Sequence, residues 1–275
     1  MTETQPVRHV FLNSDDLRLH RLEFGGSRRP LVLVHGVTGH ASLWHDVAAG
    51  LTSLRRVVAV DMRGHGDSQW SIDGAYRTDD HVVDLEAVVN DLGDAPVDLA
   101  GLSWGALVAL AFASRHPDRV GRVALVDVEP SFEQGETDVF PRPREFADHA
   151  AAAAWVRETN PHAPNGMVEV VAGMGTRPGS NGTLVPKHDP FFFERWPFRS
   201  DDRWEELRTL SLPALVVRAD QTWVRAEIAE RMAAEAPDGR FVQISDSGHL
   251  IAVEQPAELG RALRTFFSEE TGPKD

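Results

Sequence analysis

The stretch Gly101-Leu102-Ser103-Trp104-Gly105 holds the first residues in this chain arranged for chemistry. It reads G-x-S-x-G, follows the apolar run 97–100 and precedes a helical pattern at 104–116. Glycines on both flanks suit a strand-to-helix turn too sharp for side chains. Such a turn presents its serine hydroxyl at a sheet edge, ready to act as a nucleophile. The five-residue pattern alone arises by chance in on the order of one such chain in ten, so the strand before it and the helix after it carry the weight. As structure only, Ser103 would be a helix cap in a glycine-bracketed turn. A hydroxyl also needs a base. His249, in Asp246-Ser247-Gly248-His249, lies between the last expected strand (241–244) and the last expected helix (257–267), on a loop at the same edge. His35, His65 and His81 are weaker candidates by position. An oxyanion formed by serine attack needs two donors. The backbone N–H of Trp104 is one. The other is placed at Val37, in His35-Gly36-Val37-Thr38-Gly39.

The elements that must position these residues alternate. Apolar runs at 31–35, 57–60, 97–100, 123–126 and 214–217 are short, bounded and rich in branched residues, which suits strands buried on both faces. Two β-rich stretches, 7–12 and 17–24, precede them. Helical patterns fall at 40–53, 78–92, 104–116, 225–235 and 257–267. Strand–helix alternation predicts a mostly parallel eight-stranded sheet with helices on both faces. The alternation breaks between 131 and 210. That segment has no good strand, expected helices at 144–158, 164–173 and 190–196, and many aromatic residues. A structureless loop of that length is improbable. The segment reads as a helical cap over the carboxyl ends of the strands, where open α/β sheets bind ligands. The core is then 1–130 and 211–275. Trp155, Phe191, Phe192, Phe193, Trp196 and Leu250 are the candidate pocket residues, although cap-to-core packing must occupy most such aromatics.

Composition bounds the rest. The chain has 275 residues, 42% hydrophobic and 25% charged, an ordinary globular balance. Lys and Arg number 28 against 42 Asp and Glu, a net charge of −14. Such a surface disfavours nucleic acid and anionic membranes as partners. There is no cysteine, which removes disulfides, thiolate nucleophiles and cysteine-held metals. No secretory leader is visible and no apolar run approaches the roughly 20 residues of a membrane span. The expectation is a cytoplasmic monomer or homodimer acting on a small molecule, with no cofactor and no metal.

Taken together, H-G-V-T-G at 35–39, D-M-R-G-H-G-D-S at 61–68, G-L-S-W-G at 101–105, L-V-D-V-E-P at 125–130 and S-G-H at 247–249 resemble the α/β-hydrolase superfamily with a helical cap. These pieces span the core; the cap matches loosely. The resemblance implies the α/β-hydrolase fold, a cap inserted after strand six, and a Ser-acid-His triad in that chain order. A nucleophilic aspartate, as in epoxide hydrolases and dehalogenases of this fold, is excluded because position 103 is serine. The acid departs from the commonest pattern. Most relatives carry G-x-x-D after strand seven; here the segment is Ala219-Asp220-Gln221-Thr222, with Thr222 at the acid's place. A second known location is the end of strand six, where Asp127 stands. The arrangement resembles a subgroup that includes 2-(acetamidomethylene)succinate hydrolase, the amide hydrolase of vitamin B6 breakdown. Asp127 is the preferred acid, Asp220 the alternative, and Glu129 a distant third.

The substrate does not carry over. No cap arginine is matched to one that would clamp a dicarboxylate, and the aromatic cap suggests an apolar or aromatic ester, lactone or amide. The leading expectation is a metal-independent serine hydrolase working through an acyl-enzyme. Its rivals are a cofactor-free carbon–carbon bond hydrolase or acyltransferase with the same triad, and a small-molecule receptor that does not hydrolyse.

Overall fold

A computed structural model describes residues 6–15 and 17–269. Eight strands form one sheet: β1 (Arg8–Ser14), β2 (Leu17–Gly25), β3 (Pro30–Val34), β4 (Arg56–Asp61), β5 (Val97–Leu102), β6 (Val120–Val126), β7 (Ala214–Ala219) and β8 (Gly239–Ile244). Their order is β1-β2-β4-β3-β5-β6-β7-β8. β1 and β2 pair antiparallel, β2 pairs antiparallel with β4, and every other pairing is parallel.

The period-2 rule sorts the apolar runs onto two faces. Val32 and Val34 of β3 join one core cluster, while Leu31 and Leu33 join the other. Val58 and Val60 of β4 divide from Val57 and Ala59 in the same way. Each fully buried Val or Leu contributes roughly 1.5–3 kcal/mol relative to exposure, so two-sided burial is what holds the central strands together. The first face is covered by α2 (Thr78–Leu92) and α3 (Trp104–Arg115), and the second by α1 (His45–Leu51). The expected helix at 40–53 is shorter than its pattern, because Ala41–Trp44 winds as a 3-10 turn before α1.

Between β6 and β7 the chain leaves the sheet. Here α4 (His149–Thr159) and α5 (Asn165–Met174) pack on each other and onto Leu43 and Val253 of the core. α4 starts five residues later than its pattern because Asp148 caps it, accepting the Ala151 N–H at 2.9 Å. The expectation of no strand here is corrected. Thr176–Pro178 and Leu184–Pro186 pair as a two-stranded antiparallel ribbon, three residues each, too short for a period-2 pattern to register. Of the expected helix at 190–196, only the 3-10 turn Pro190–Phe193 forms. The chain returns through α6 (Trp204–Arg208) to β7, then α7 (Ala226–Glu235), β8, the short α8 (Ile251–Glu254) and α9 (Pro256–Ser268). α7 completes the first face and α9 the second. Among the described residues no helix is long and apolar enough to cross a membrane.

Candidate active site

Ser103 sits between β5 and α3 with φ 54° and ψ −124°. A non-glycine residue in that region costs of order 1–3 kcal/mol, and the surroundings must enforce it. They do so by close approach. A Cβ on Gly101 would meet the Gly105 carbonyl oxygen at 2.2 Å, and one on Gly105 would meet the His35 and Val34 carbonyl oxygens at 2.4 Å. The Ser103 N–H donates to the Val126 carbonyl at 2.8 Å, tying the turn to the end of β6. Trp104 anchors the helix start: its indole is fully buried, and its Nε1–H donates to Thr78 Oγ1 at 2.9 Å.

Opposite the serine lies the loop after β3. A Cβ on Gly36 would stand 2.9 Å from the Ser103 Cβ, so only glycine lets this backbone approach Ser103. Thr38 has φ 59° and donates its N–H to His65 Nε2 at 3.0 Å. His65 Nδ1–H donates to the Arg63 carbonyl at 2.9 Å. His35 likewise donates from Nδ1 to the Gly36 carbonyl at 2.7 Å and accepts the Met62 N–H at Nε2, 3.0 Å. Burial holds both rings below the usual histidine range. Both are neutral struts of this loop, with no nitrogen left for a base. His81 is buried edge-on to the Trp104 indole, its rings 4.4 Å apart by centroid, and burial lowers it as well.

His249 follows β8. Its Nδ1–H donates to Asp127 Oδ2 at 2.7 Å. Asp127 ends β6 with φ 48° and a side chain that is fully buried. Its Oδ1 accepts the Ala219 N–H at 2.8 Å, and its Oδ2 also accepts the Thr222 hydroxyl at 2.6 Å. The threonine at the strand-seven acid position therefore bonds directly to the strand-six carboxylate, a link the sequence reading did not make. Asp220 is turned elsewhere: its two oxygens accept the Asp246 and Ser247 N–H groups, both at 3.1 Å. It holds the histidine loop rather than the imidazole. Glu129 is engaged by Arg225, through its N–H at 2.9 Å and its guanidinium at 2.7 Å.

Ser103, His249 and Val37 line one cavity of about 380 Å³, together with Trp155, Trp196 and Leu250. The pocket assignment of Phe191, Phe192 and Phe193 is corrected. Asp189 accepts the Phe191 N–H at 2.8 Å and the Tyr76 hydroxyl at 2.6 Å, which docks this turn onto Tyr76. Phe192 is then fully buried against His65 and Tyr76, with ring centroids at 4.4 and 4.8 Å. Phe191 lies 5.1 Å from the Tyr76 ring, and Phe193 lies under the Arg144 guanidinium. Phe191 and Phe192 thus clamp the insertion to the core, while Phe193 packs within the insertion.

Several wall residues were not anticipated: Phe140, Phe198, Trp223 and Arg142. Arg142 is the most informative. No carboxylate lines the cavity, and none pairs with Arg142 among the described residues. Its guanidinium donates to Thr38 Oγ1, and its Nε is buried without a partner. Burial alone pulls its pKa down to about 10. Nothing in the local sequence Phe140-Pro141-Arg142-Pro143-Arg144 separates this arginine from its exposed neighbour Arg144.

Comparison with known proteins follows the same lines. The family described as alpha/beta hydrolase fold matches residues 29–167. Esterase Rv0045c of Mycobacterium tuberculosis (strain ATCC 25618 / H37Rv) is 28% identical over 255 residues, covering 88% of this chain and 84% of its own. The 2-(acetamidomethylene)succinate hydrolase of Mesorhizobium japonicum (strain LMG 29417 / CECT 9101 / MAFF 303099) is 24% identical over 248 residues, covering 88% and 89%. A crystal structure of E-2-(acetamidomethylene)succinate hydrolase superposes with a TM-score of 0.85 at 22% identity, over 96% of this chain and 100% of that one, and so shares the fold. With half of its length matched by the family and its whole core sharing the architecture, the chain belongs to the α/β-hydrolase family and is a hydrolase.

Proposed function

We propose that the protein is a serine hydrolase that cleaves a small ester, lactone or amide through an acyl-enzyme. The observation that carries this reading is the Asp127–His249 hydrogen bond at 2.7 Å, opening onto the cavity that holds Ser103. Ser103 attacks the carbonyl while His249 takes its proton, then returns it to the leaving group. Asp127 holds the imidazole with Nδ1 protonated, so that Nε2 is the free base. The oxyanion is received by the N–H groups of Val37 and Trp104. Trp104 opens α3, so its N–H has no carbonyl within the helix to bond. The insertion at 131–210 acts as the cap, and Trp155 and Trp196 form its contact with substrate.

The substrate has an apolar or aromatic body and one anionic end. An arginine held in an apolar cavity without a carboxylate leaves a desolvated charge uncompensated, and an anionic substrate group supplies its partner. A panel of aryl esters differing only in a terminal carboxylate or methyl group tests this together with the activity itself. The carboxylated members should be cleaved faster. Arg142→Met should lower their kcat/KM by roughly 10-fold or more, the value of a charge-assisted hydrogen bond, and leave neutral esters within a few-fold. Preference for neutral esters in the unaltered protein would sink the anionic assignment. Failure of every ester, lactone and amide, with no labelling of Ser103 by a fluorophosphonate, would sink the hydrolase reading.

Thr222 supports the same machinery as a positioning residue. Its hydroxyl shares Asp127 Oδ2 with His249. Without that donor, Oδ2 is held by His249 alone, and the carboxylate orients the imidazole less firmly. Thr222→Val should therefore lower kcat by roughly 10-fold, the value of one hydrogen bond to a charged group, and leave KM within about two-fold. Thr222→Ser, which keeps the hydroxyl, should restore kcat. A Val variant that changes KM as much as kcat, or a Ser variant that fails to restore kcat, would make the contact merely structural.

A further inference from the structure

A second cluster of ligating side chains lies away from the catalytic cavity, where β1 and β2 meet the loop after β4. His9 faces Leu22 across the β1–β2 pairing and His20 faces Phe11, so the two histidines are diagonal neighbours on one face. Their ring nitrogens, His9 Nδ1 and His20 Nε2, are 2.9 Å apart. Asp67 closes the group, and ligating atoms of all three residues lie within 4.8 Å of one another. We propose that His9, His20 and Asp67 form a binding site for a divalent transition-metal ion of the Zn²⁺ type, outside the catalytic reaction.

The orientation of His20 favours this role. Its Nδ1–H donates to the buried carboxylate of Asp61 at 2.6 Å, which leaves Nε2 as a lone-pair nitrogen aimed at His9. A carboxylate behind a histidine is the usual device for fixing the tautomer and orientation of a metal-bound imidazole. The third ligand is held independently. The His20 N–H donates to Ser68 Oγ at 2.8 Å, the Gln69 N–H donates to the Arg18 carbonyl at 2.8 Å, and the Asp67 N–H donates to Asp61 Oδ2 at 2.9 Å. The loop carrying Asp67 is thus fastened to β2 and β4 without any help from His9.

Lys187 Nζ donates to Asp67 Oδ1 at 2.8 Å, so a metal takes the carboxylate through Oδ2 with the lysine as its outer hydrogen-bond partner. Two nitrogens on a tetrahedral zinc, each about 2.0–2.1 Å from the metal, stand about 3.3–3.4 Å apart, so the histidines need to separate by only about 0.4 Å. Binding displaces the proton that His9 Nδ1 shares with His20 Nε2; the neutral His9 ring carries it on Nε2 instead, so each imidazole offers one lone pair and keeps one N–H. Two imidazoles and one carboxylate suit a borderline metal rather than Ca²⁺ or Mg²⁺, and water completes the coordination. His9 and Asp67 are exposed, so an ion reaches the site from solvent.

Calorimetric titration of the full chain with ZnCl₂, after treatment with a chelator and its removal, tests the proposal. One saturable site is expected, with a rise in Tm that depends on zinc concentration. His9→Gln and Asp67→Asn should each weaken the Kd at least about 10-fold. Both side chains are exposed, and the Tm of the metal-free variants verifies that they fold. His149→Gln is the control. His149 and Glu169 form another exposed histidine–carboxylate pair, at 2.7 Å, and its loss should leave the Kd unchanged. No saturable binding up to about 1 mM zinc, or an unchanged Kd in both site variants, would overturn the assignment.

Discussion

Ser103→Ala is expected to lower kcat by at least about 10³-fold while leaving the protein folded. The loss follows from removing the only route to a covalent acyl-enzyme; what remains is oxyanion stabilisation and binding. The fold should survive because the elbow is held by other contacts. The Ser103 backbone N–H and carbonyl carry the hydrogen bonds, to Val126 and from Ala106, and neither needs the hydroxyl. Alanine keeps the Cβ that packs near Gly36. The measurement is steady-state hydrolysis of the best ester in the panel, with circular dichroism as the check on folding and fluorophosphonate labelling as the check on the nucleophile. More than about a tenth of the kcat remaining would remove Ser103 from the mechanism.

Asp127→Asn should lower kcat by up to about four orders of magnitude. Three donors converge on this carboxylate: the Ala219 N–H, the Thr222 hydroxyl and the His249 Nδ1–H. An ionised carboxylate accepts all of them; an amide cannot. With its NH₂ toward β7, asparagine sets a donor against the Ala219 N–H, at a cost of about 1–3 kcal/mol for the buried mismatch. With its NH₂ toward His249, it forces the proton to Nε2, the wrong tautomer for taking a proton from serine. Asp220→Asn, by contrast, keeps one acceptor for the Asp246 and Ser247 N–H groups and should cost far less. The two variants are compared by kcat on one substrate. An Asp127→Asn enzyme within about 10-fold of the original, or a larger loss from Asp220→Asn, would move the acid to strand seven.

How much of this was legible depended on the range of the interactions. The parallel strands were readable because a run buried on both faces is almost continuously apolar: 31–34, 57–60, 123–126 and 214–217 are wholly so, and 97–100 is broken only by Asp98, which pairs with Arg55. The Ser103 turn was readable because its constraint is local: glycines at 101 and 105 are demanded by backbone atoms a few residues away or in the adjoining strand. His249 followed from its position after the last strand. The short ribbon at Thr176–Pro178 and Leu184–Pro186 was not legible, since three residues carry no measurable period.

The sequence by itself determined the fold class and the Ser103 turn. Each rests on patterns that neighbours in the chain impose. Only the tertiary structure decided which aspartate meets the histidine, because Asp127 and Asp220 both end strands and differ only in what faces them. It decided that Thr222 bonds to the acid whose usual place it occupies. It also separated the aromatics that look into the cavity, Trp155 and Trp196, from Phe192, which the docking of Asp189 on Tyr76 turns into the core. Arg142 shows the same division. Its residue type is visible in the sequence, but its lack of a carboxylate partner among the described residues comes from residues distant in the chain that enclose it. Desolvation and the absence of an anionic partner among the described residues are properties of that enclosure and leave no mark on local sequence.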